Sequence, residues 1–153
     1  MKKILLLPLV LAFVSCGVMG KQTVSELPAS KKVIEVDGTK NELYVKANSW
    51  MVENFKSAKS VIQFSDKESG TVMGKYFLAP IANANEYGPS QNAFAIIKIL
   101  VKEDAAKIEI TPDKVNYMKG NMFNLYNEEE AKSSIDGLLV SFEEYMKENN
   151  SDW

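Results

Sequence analysis

The sequence predicts an α+β domain of two layers, an antiparallel sheet of about five strands with two helices on one face. Three observations carry that prediction. Short segments alternate apolar and polar residues, hairpin-type turns separate several of them, and two longer segments repeat apolar residues at helical spacing. The expected order is β-α-β-β-β-β-α within residues 31–148.

The first strand runs from Lys31 to Asp37, where Ile34 and Val36 alternate with polar neighbours, and Gly38 ends it. Thr39 followed three residues later by Glu42 is a capping box, so a helix follows from Lys40 to about Ala58. Leu43, Ala47, Trp50, Met51 and Phe55 form its apolar stripe. Val61 to Ser65 and Thr71 to Ile81 are two strands joined by the loop Asp66-Lys67-Glu68-Ser69-Gly70, in which glycine suits a positive φ. Gly74 inside the second of them signals a bulge or close packing against a helix. A polar loop from Ala82 to Gln91 leads to a long strand, Asn92 to Lys102.

After a turn at Glu103 to Ala106, the last strand spans Lys107 to Tyr117. Pro112 within it requires an edge position or a bend. Asn127 caps the second helix, and Glu128, Glu129 and Glu130 sit where the helix dipole favours negative charge. Ala131, Ile135, Leu138, Leu139, Phe142 and Met146 form its core stripe. Residues 149–153 read as a tail.

The N-terminus has a different character. Met1-Lys2-Lys3 is a short basic segment, and the apolar run Ile4 to Val14 is too short to cross a bilayer core of ~30 Å, for which about 20 residues are required. Its proportions are those of a signal peptide over residues 1–15. Ala12-Phe13-Val14-Ser15-Cys16 resembles the bacterial lipobox, with Phe13 where leucine is commonest. That resemblance implies a diacylglyceryl group on the Cys16 thiol, cleavage before Cys16 and acylation (palmitate or a similar chain) of the new N-terminus. Several chains on one residue hold a membrane firmly, whereas one does so marginally. Residues 16–30 then read as a flexible tether containing Gly, Gln, Thr, Ser and Pro28, with an ordered extra strand as the alternative.

Composition narrows the chemistry. The chain contains no histidine and no arginine, and Cys16 is its single cysteine. The usual neutral-pH base, the usual nitrogen and sulfur metal ligands, and the bidentate guanidinium fork are all missing. No catalytic residue, metal ligand or cofactor site is expected, although carboxylate pairs and Ser/Lys arrangements remain chemically open. Without Lys2 and Lys3, sixteen lysines face 20 acidic residues, a net charge of −4. An acidic, arginine-free chain has no electrostatic footprint for nucleic acid.

Two kinds of candidate site stand out. Along Asn92 to Lys102, one face is wholly apolar (Ala95, Ile97, Ile99, Val101) and must meet the helices. The other carries Phe94, Ile96, Lys98 and Leu100, too apolar for a freely solvated face. A partner protein, a small ligand or a second copy of the chain would cover it, or else the tether or long loop does. Tyr87, beside Gly88-Pro89, is a loop aromatic suited to contact, or one folded over its own loop. Asp66 with Glu68 is too sparse for a calcium loop and reads as a solvated hairpin tip. Trp50 belongs to the core stripe, and Tyr44 stands at its margin.

The series Val36-Asp37-Gly38-Thr39-Lys40-Asn41-Glu42-Leu43-Tyr44, Trp50, Phe55, Asp66 to Gly70 and Gly74-Lys75 resembles a bacterial lipoprotein family of unknown function. The resemblance implies a fold like the TATA-box-binding protein and a place in the cell envelope, and it transfers no catalytic residues. The expected function is a non-catalytic envelope lipoprotein that binds or scaffolds a partner. The alternative is a hydrolase using carboxylates or a Ser/Lys pair. Gly17 after the cysteine, rather than aspartate, favours the outer membrane, and the lack of an acidic run after Cys16 favours its periplasmic side. Replacing Cys16 with alanine is expected to move the chain from the membrane to the soluble fraction on cell fractionation; equal membrane retention would refute the anchor.

Overall fold

A computed structural model describes residues 20–57, 59–86 and 88–148. Among them are seven strands and two helices: β1 (Lys21–Ser25), β2 (Ser30–Glu35), α1 (Lys40–Asn54), β3 (Val61–Asp66), β4 (Thr71–Ala82), β5 (Gln91–Lys102), β6 (Ala105–Pro112), β7 (Val115–Lys119) and α2 (Glu128–Lys147). Cys16, Tyr87 and residues 149–153 lie outside the described residues.

Turn chemistry sets the order of the elements. The β5–β6 hairpin closes on Glu103 and Asp104, the latter in the left-handed region at φ 56. Asp104 then reaches the start of α1: Gly38 N–H donates to its Oδ1 at 3.1 Å, and its own N–H donates to Gly38 O at 3.0 Å. Glu103 Oε2 accepts from Lys40 N–H, a carboxylate at the positive end of the helix. Thr39 and Glu42 complete the expected capping box. Glu42 is held below the usual carboxylate range by its bonds from the Thr39 hydroxyl and backbone.

Five strands form one antiparallel sheet in the order β2-β6-β5-β4-β3. β6 is therefore interior, and Pro112 at its end marks a bend rather than an edge. Beyond the bend the β2/β6 ladder resumes as a separate ribbon, β1 paired antiparallel with β7. This corrects two expectations. The stretch 16–30 is not a plain tether, because residues 21–25 form β1. The single strand Lys107 to Tyr117 is two, so the order gains β1 before β2 and β7 after β6. The alternation in Lys-Gln-Thr-Val-Ser is weak because Val24 points outward and Ser25, not an apolar residue, is buried, its hydroxyl 3.1 Å from Tyr126 Oη. Helix α1 is also shorter than expected, ending at Asn54 with Phe55 as its cap.

Both helices lie on the same sheet face. Leu43, Ala47, Trp50 and Met51 of α1, and Ala131, Ile135, Leu138, Phe142 and Met146 of α2, are buried over Val72, Ile97, Ile99, Ile108 and Ile110. Trp50 is 0% exposed, packs edge-on to Phe142 at 5.1 Å and donates from Nε1 to Ser141 Oγ. Tyr44 half-covers the same core and shares a 2.6 Å hydrogen bond with Ser65. Gly74 lets α1 approach: a Cβ there would lie 2.8 Å from Met51 Cε and nearer still to the Phe55 ring. Opposite it, the β3 register shifts between Ile62 and Phe64, so the glycine marks both close packing and a bulge in its neighbour.

Polar contacts tie α2 to the sheet and to α1. Glu143 accepts from Lys147 one turn later at 2.7 Å and from Lys32 on β2. The two ammonium groups, Lys147 first, hold its carboxyl down to about 2. Lys46 donates to the Met146 and Glu148 carbonyls at the C-terminal end of α2, where cations are favoured, although burial lowers its pKa.

Two outcomes are expected. Gly74→Ala lowers stability by about 1–3 kcal/mol in urea unfolding, since the added methyl overpacks the α1 contact. Gly74→Ala combined with Phe55→Leu recovers part of that loss, and no loss in the single variant would contradict the packing. Glu143 has a depressed folded-state pKa, so its contribution is full above the ordinary value of 4.5 and disappears as pH falls towards about 2. The stability gap between wild type and Glu143→Gln should therefore narrow through that interval. A gap independent of pH would exclude the ion pairs.

Candidate functional site

Alternation along β5 divides its residues between two environments. Ala95, Ile97, Ile99 and Val101 are buried beneath the helices, while Phe94, Ile96, Lys98 and Leu100 point to the opposite face and are only half-buried. Helix contacts account for the first face, and no described helix or strand lies over the second. The four β5 residues singled out from the sequence thus share one surface, as the two-residue period of a strand requires.

Pairing brings further residues to that surface. Phe77 stands opposite Phe94, with ring centroids 6.2 Å apart in an edge-to-face arrangement. Lys75 is opposite Ile96, and its Nζ lies 4.2 Å from the centre of the Phe94 ring. Lys59 places its Nζ 4.7 Å over Phe77 and donates to Asn92. Met73 faces Lys98 from one side and Glu109 faces it from the other, with Glu109 also 3.2 Å from Lys107. On the flanking strands, Phe64 is 49% exposed and Val33 66% exposed. The lysine stems cover part of the aromatic surface while their ammonium groups stay in water. Phe64, Met73 and Phe77 were readable from alternation on β3 and β4, but their meeting with Phe94 depends on the register, which the sequence leaves open.

Other clusters resolve into structural roles. A groove of about 670 Å³ contains Lys46, Ser49 and Tyr145, so that a lysine and a serine of α1 line a shared cleft. Lys46 directs its protons to α2 carbonyls, and no described hydrogen bond joins it to Ser49. Burial, then a 2.9 Å bond to Glu53, raises the Tyr145 pKa, the wrong direction for a base. Asp66 is lowered chiefly by the Ser69 hydroxyl, with the Glu68 N–H next, an Asx-type turn that closes the hairpin. Among the described residues, no group of three or more Asp, Glu or Cys side chains is placed to hold a metal ion. A smaller groove of about 210 Å³ runs between Ile81, Tyr117, Met118 and Phe123. Beside it the buried Asn124 Oδ1 has no hydrogen-bond donor.

No described helix is long and apolar enough to cross a membrane. Comparison with solved structures finds a family protein from Bacteroides ovatus that is 15% identical with a TM-score of 0.56, covering 90% of this chain and 95% of that one. A TBP-like protein from Parabacteroides distasonis is 13% identical with a TM-score of 0.54, covering 77% and 91%. At such identities the likeness is one of fold. No curated protein matches the chain. The model of the domain of unknown function with TBP-like fold (DUF4468) matches residues 31–112, from the start of β2 to the end of β6, and the chain belongs to that family.

Proposed function

We propose that the chain is a non-catalytic binding or scaffolding domain of the cell envelope. Acylated Cys16 holds it on a membrane, and the open sheet face meets its partner. The observation that supports this reading is the band of Phe64, Phe77, Phe94, Ile96 and Leu100, left without a covering element among the described residues on a sheet whose other face is packed by two helices. An antiparallel sheet facing only water alternates apolar-in with polar-out. Exposed aromatic and aliphatic side chains gathered on one surface mark an interaction site in soluble domains.

The character of the face defines what it would take. Its aromatic rings and branched aliphatic side chains supply desolvation energy, and Lys31, Lys75, Lys98 and Lys107 surround them with Glu35 and Glu109 interspersed. Mixed charges favour a protein surface or a second copy of the chain over a polyphosphate, and the absence of arginine argues in the same direction. The lipobox at Cys16 and the residue after it support an outer-membrane anchor facing the periplasm.

The test combines light scattering with affinity capture from the native envelope. Phe94→Lys and Leu100→Lys, each on a half-buried open-face position, should abolish self-association or capture while leaving the fold intact by circular dichroism. A wild-type monomer that captures nothing the variants fail to capture, and whose stability both substitutions leave unchanged or improve, would defeat this reading.

A further inference from the structure

A second apolar surface lies where the β1/β7 ribbon ends. Met118 points to the side of the ribbon that also carries Val24, and the chain then turns at Gly120, whose φ of 80 requires glycine. The following loop is braced by its own hydrogen bonds: Asn121 N–H donates to Met118 O, Phe123 N–H to Asn121 Oδ1, and Asn124 N–H to Asn121 O. Leu125 is fastened by its N–H to Ile81 O at 2.9 Å. The backbone held in this way carries Met122 and Phe123 on the outside of the loop. Met122 is 85% exposed and Phe123 65%.

The N-terminal end of the described chain lies against this same loop. A Cβ on Gly20 would stand 2.8 Å from Asn121 Cβ, and Gly20 is four residues beyond Cys16. Four residues span at most about 14 Å when fully extended. If its acyl chains hold Cys16 at the lipid surface, the loop is kept within about 14 Å of it, close enough to reach the layer into which interfacial apolar side chains insert by ~5–10 Å.

We propose that residues 118–125 dock onto the lipid surface that holds Cys16, with Met122 and Phe123 entering the interface as a second attachment point. This rests on the reading of Cys16 as acylated. The contact is apolar rather than electrostatic, because Lys119 shares its surroundings with Glu128 and Glu129 at the start of α2. Two attachment points hold the domain in one orientation to the membrane, where a lipid on a free tether would leave it to swivel.

The full chain, exported and purified from membranes with its own N-terminus, is reconstituted in vesicles of phosphatidylethanolamine and phosphatidylglycerol, and the mass of the Cys16 peptide is read first. Acylation leaves that thiol unreactive, so Phe123→Cys accepts an environment-sensitive fluorophore at one place, and Val45→Cys on the exposed side of α1 serves as the reference. The expected result is an acylated Cys16 and a label at 123 quenched by brominated acyl chains. That label should be shielded from aqueous iodide by about tenfold relative to the label at 45. Adding Met122→Asp to Phe123→Cys should remove most of that shielding without changing the fold. An acylated Cys16 with both labels equally open to iodide overturns the docking alone. An unmodified Cys16 overturns the anchor and the docking together, and the mass measurement distinguishes the two failures.

Discussion

The meeting of Trp50 and Phe142 over the sheet is the contact on which the rest of the molecule depends. The five-stranded sheet has one face of small and branched aliphatic side chains, too broad for one helix to cover. α1 and α2 close it together, and the Trp50 and Phe142 rings meet edge-to-face between them. Both rings are fully buried, and truncating an aromatic side chain in such a core costs about 3–5 kcal/mol. The Nε1 bond to Ser141 satisfies the one polar atom the indole brings inside. Gly74 and the β5–β6 turn serve the same contact, the first by admitting α1 close to β4 and the second by fixing where α1 begins.

Placing both helices on one side leaves the other side of the sheet for something else. A strand cannot bury one set of side chains without presenting the alternate set, so the Phe94, Ile96 and Leu100 surface follows from the same geometry that buries Ile97 and Ile99. The lysines over Phe77 and Phe94 moderate that surface: their stems exclude water from ring faces, and their charges oppose unspecific self-association. The result is a face of mixed character, aromatic and aliphatic side chains interleaved with lysines.

How much of this was legible in the residues differs from element to element. The α1 capping box, the stripes Leu43-Ala47-Trp50-Met51 and Ala131-Ile135-Leu138-Phe142-Met146, and the two faces of β5 follow from periods of 3.6 and 2 that any solvent boundary imposes. β1 was legible only as the lesser alternative to a tether, because its stability comes from backbone pairing with β7 and from the Ser25–Tyr126 hydroxyl contact, neither of which leaves an apolar alternation. The bend at Pro112 was half legible: proline excludes an unbroken ladder, but a bend and an edge are equal until the neighbours are known.

The sequence by itself therefore determined the fold class, the two helix faces, the half-apolar strand and the lack of histidine and arginine, since those depend on local periodicity and on which side chains exist. Tertiary structure alone decided the strand order β2-β6-β5-β4-β3, the register that gathers Phe64, Met73, Phe77 and Phe94 on one surface, and the approach of Gly20 to the Met122–Phe123 loop. Such contacts join residues far apart in the chain. Their free energy depends on which elements close around one core, and no local pattern encodes that.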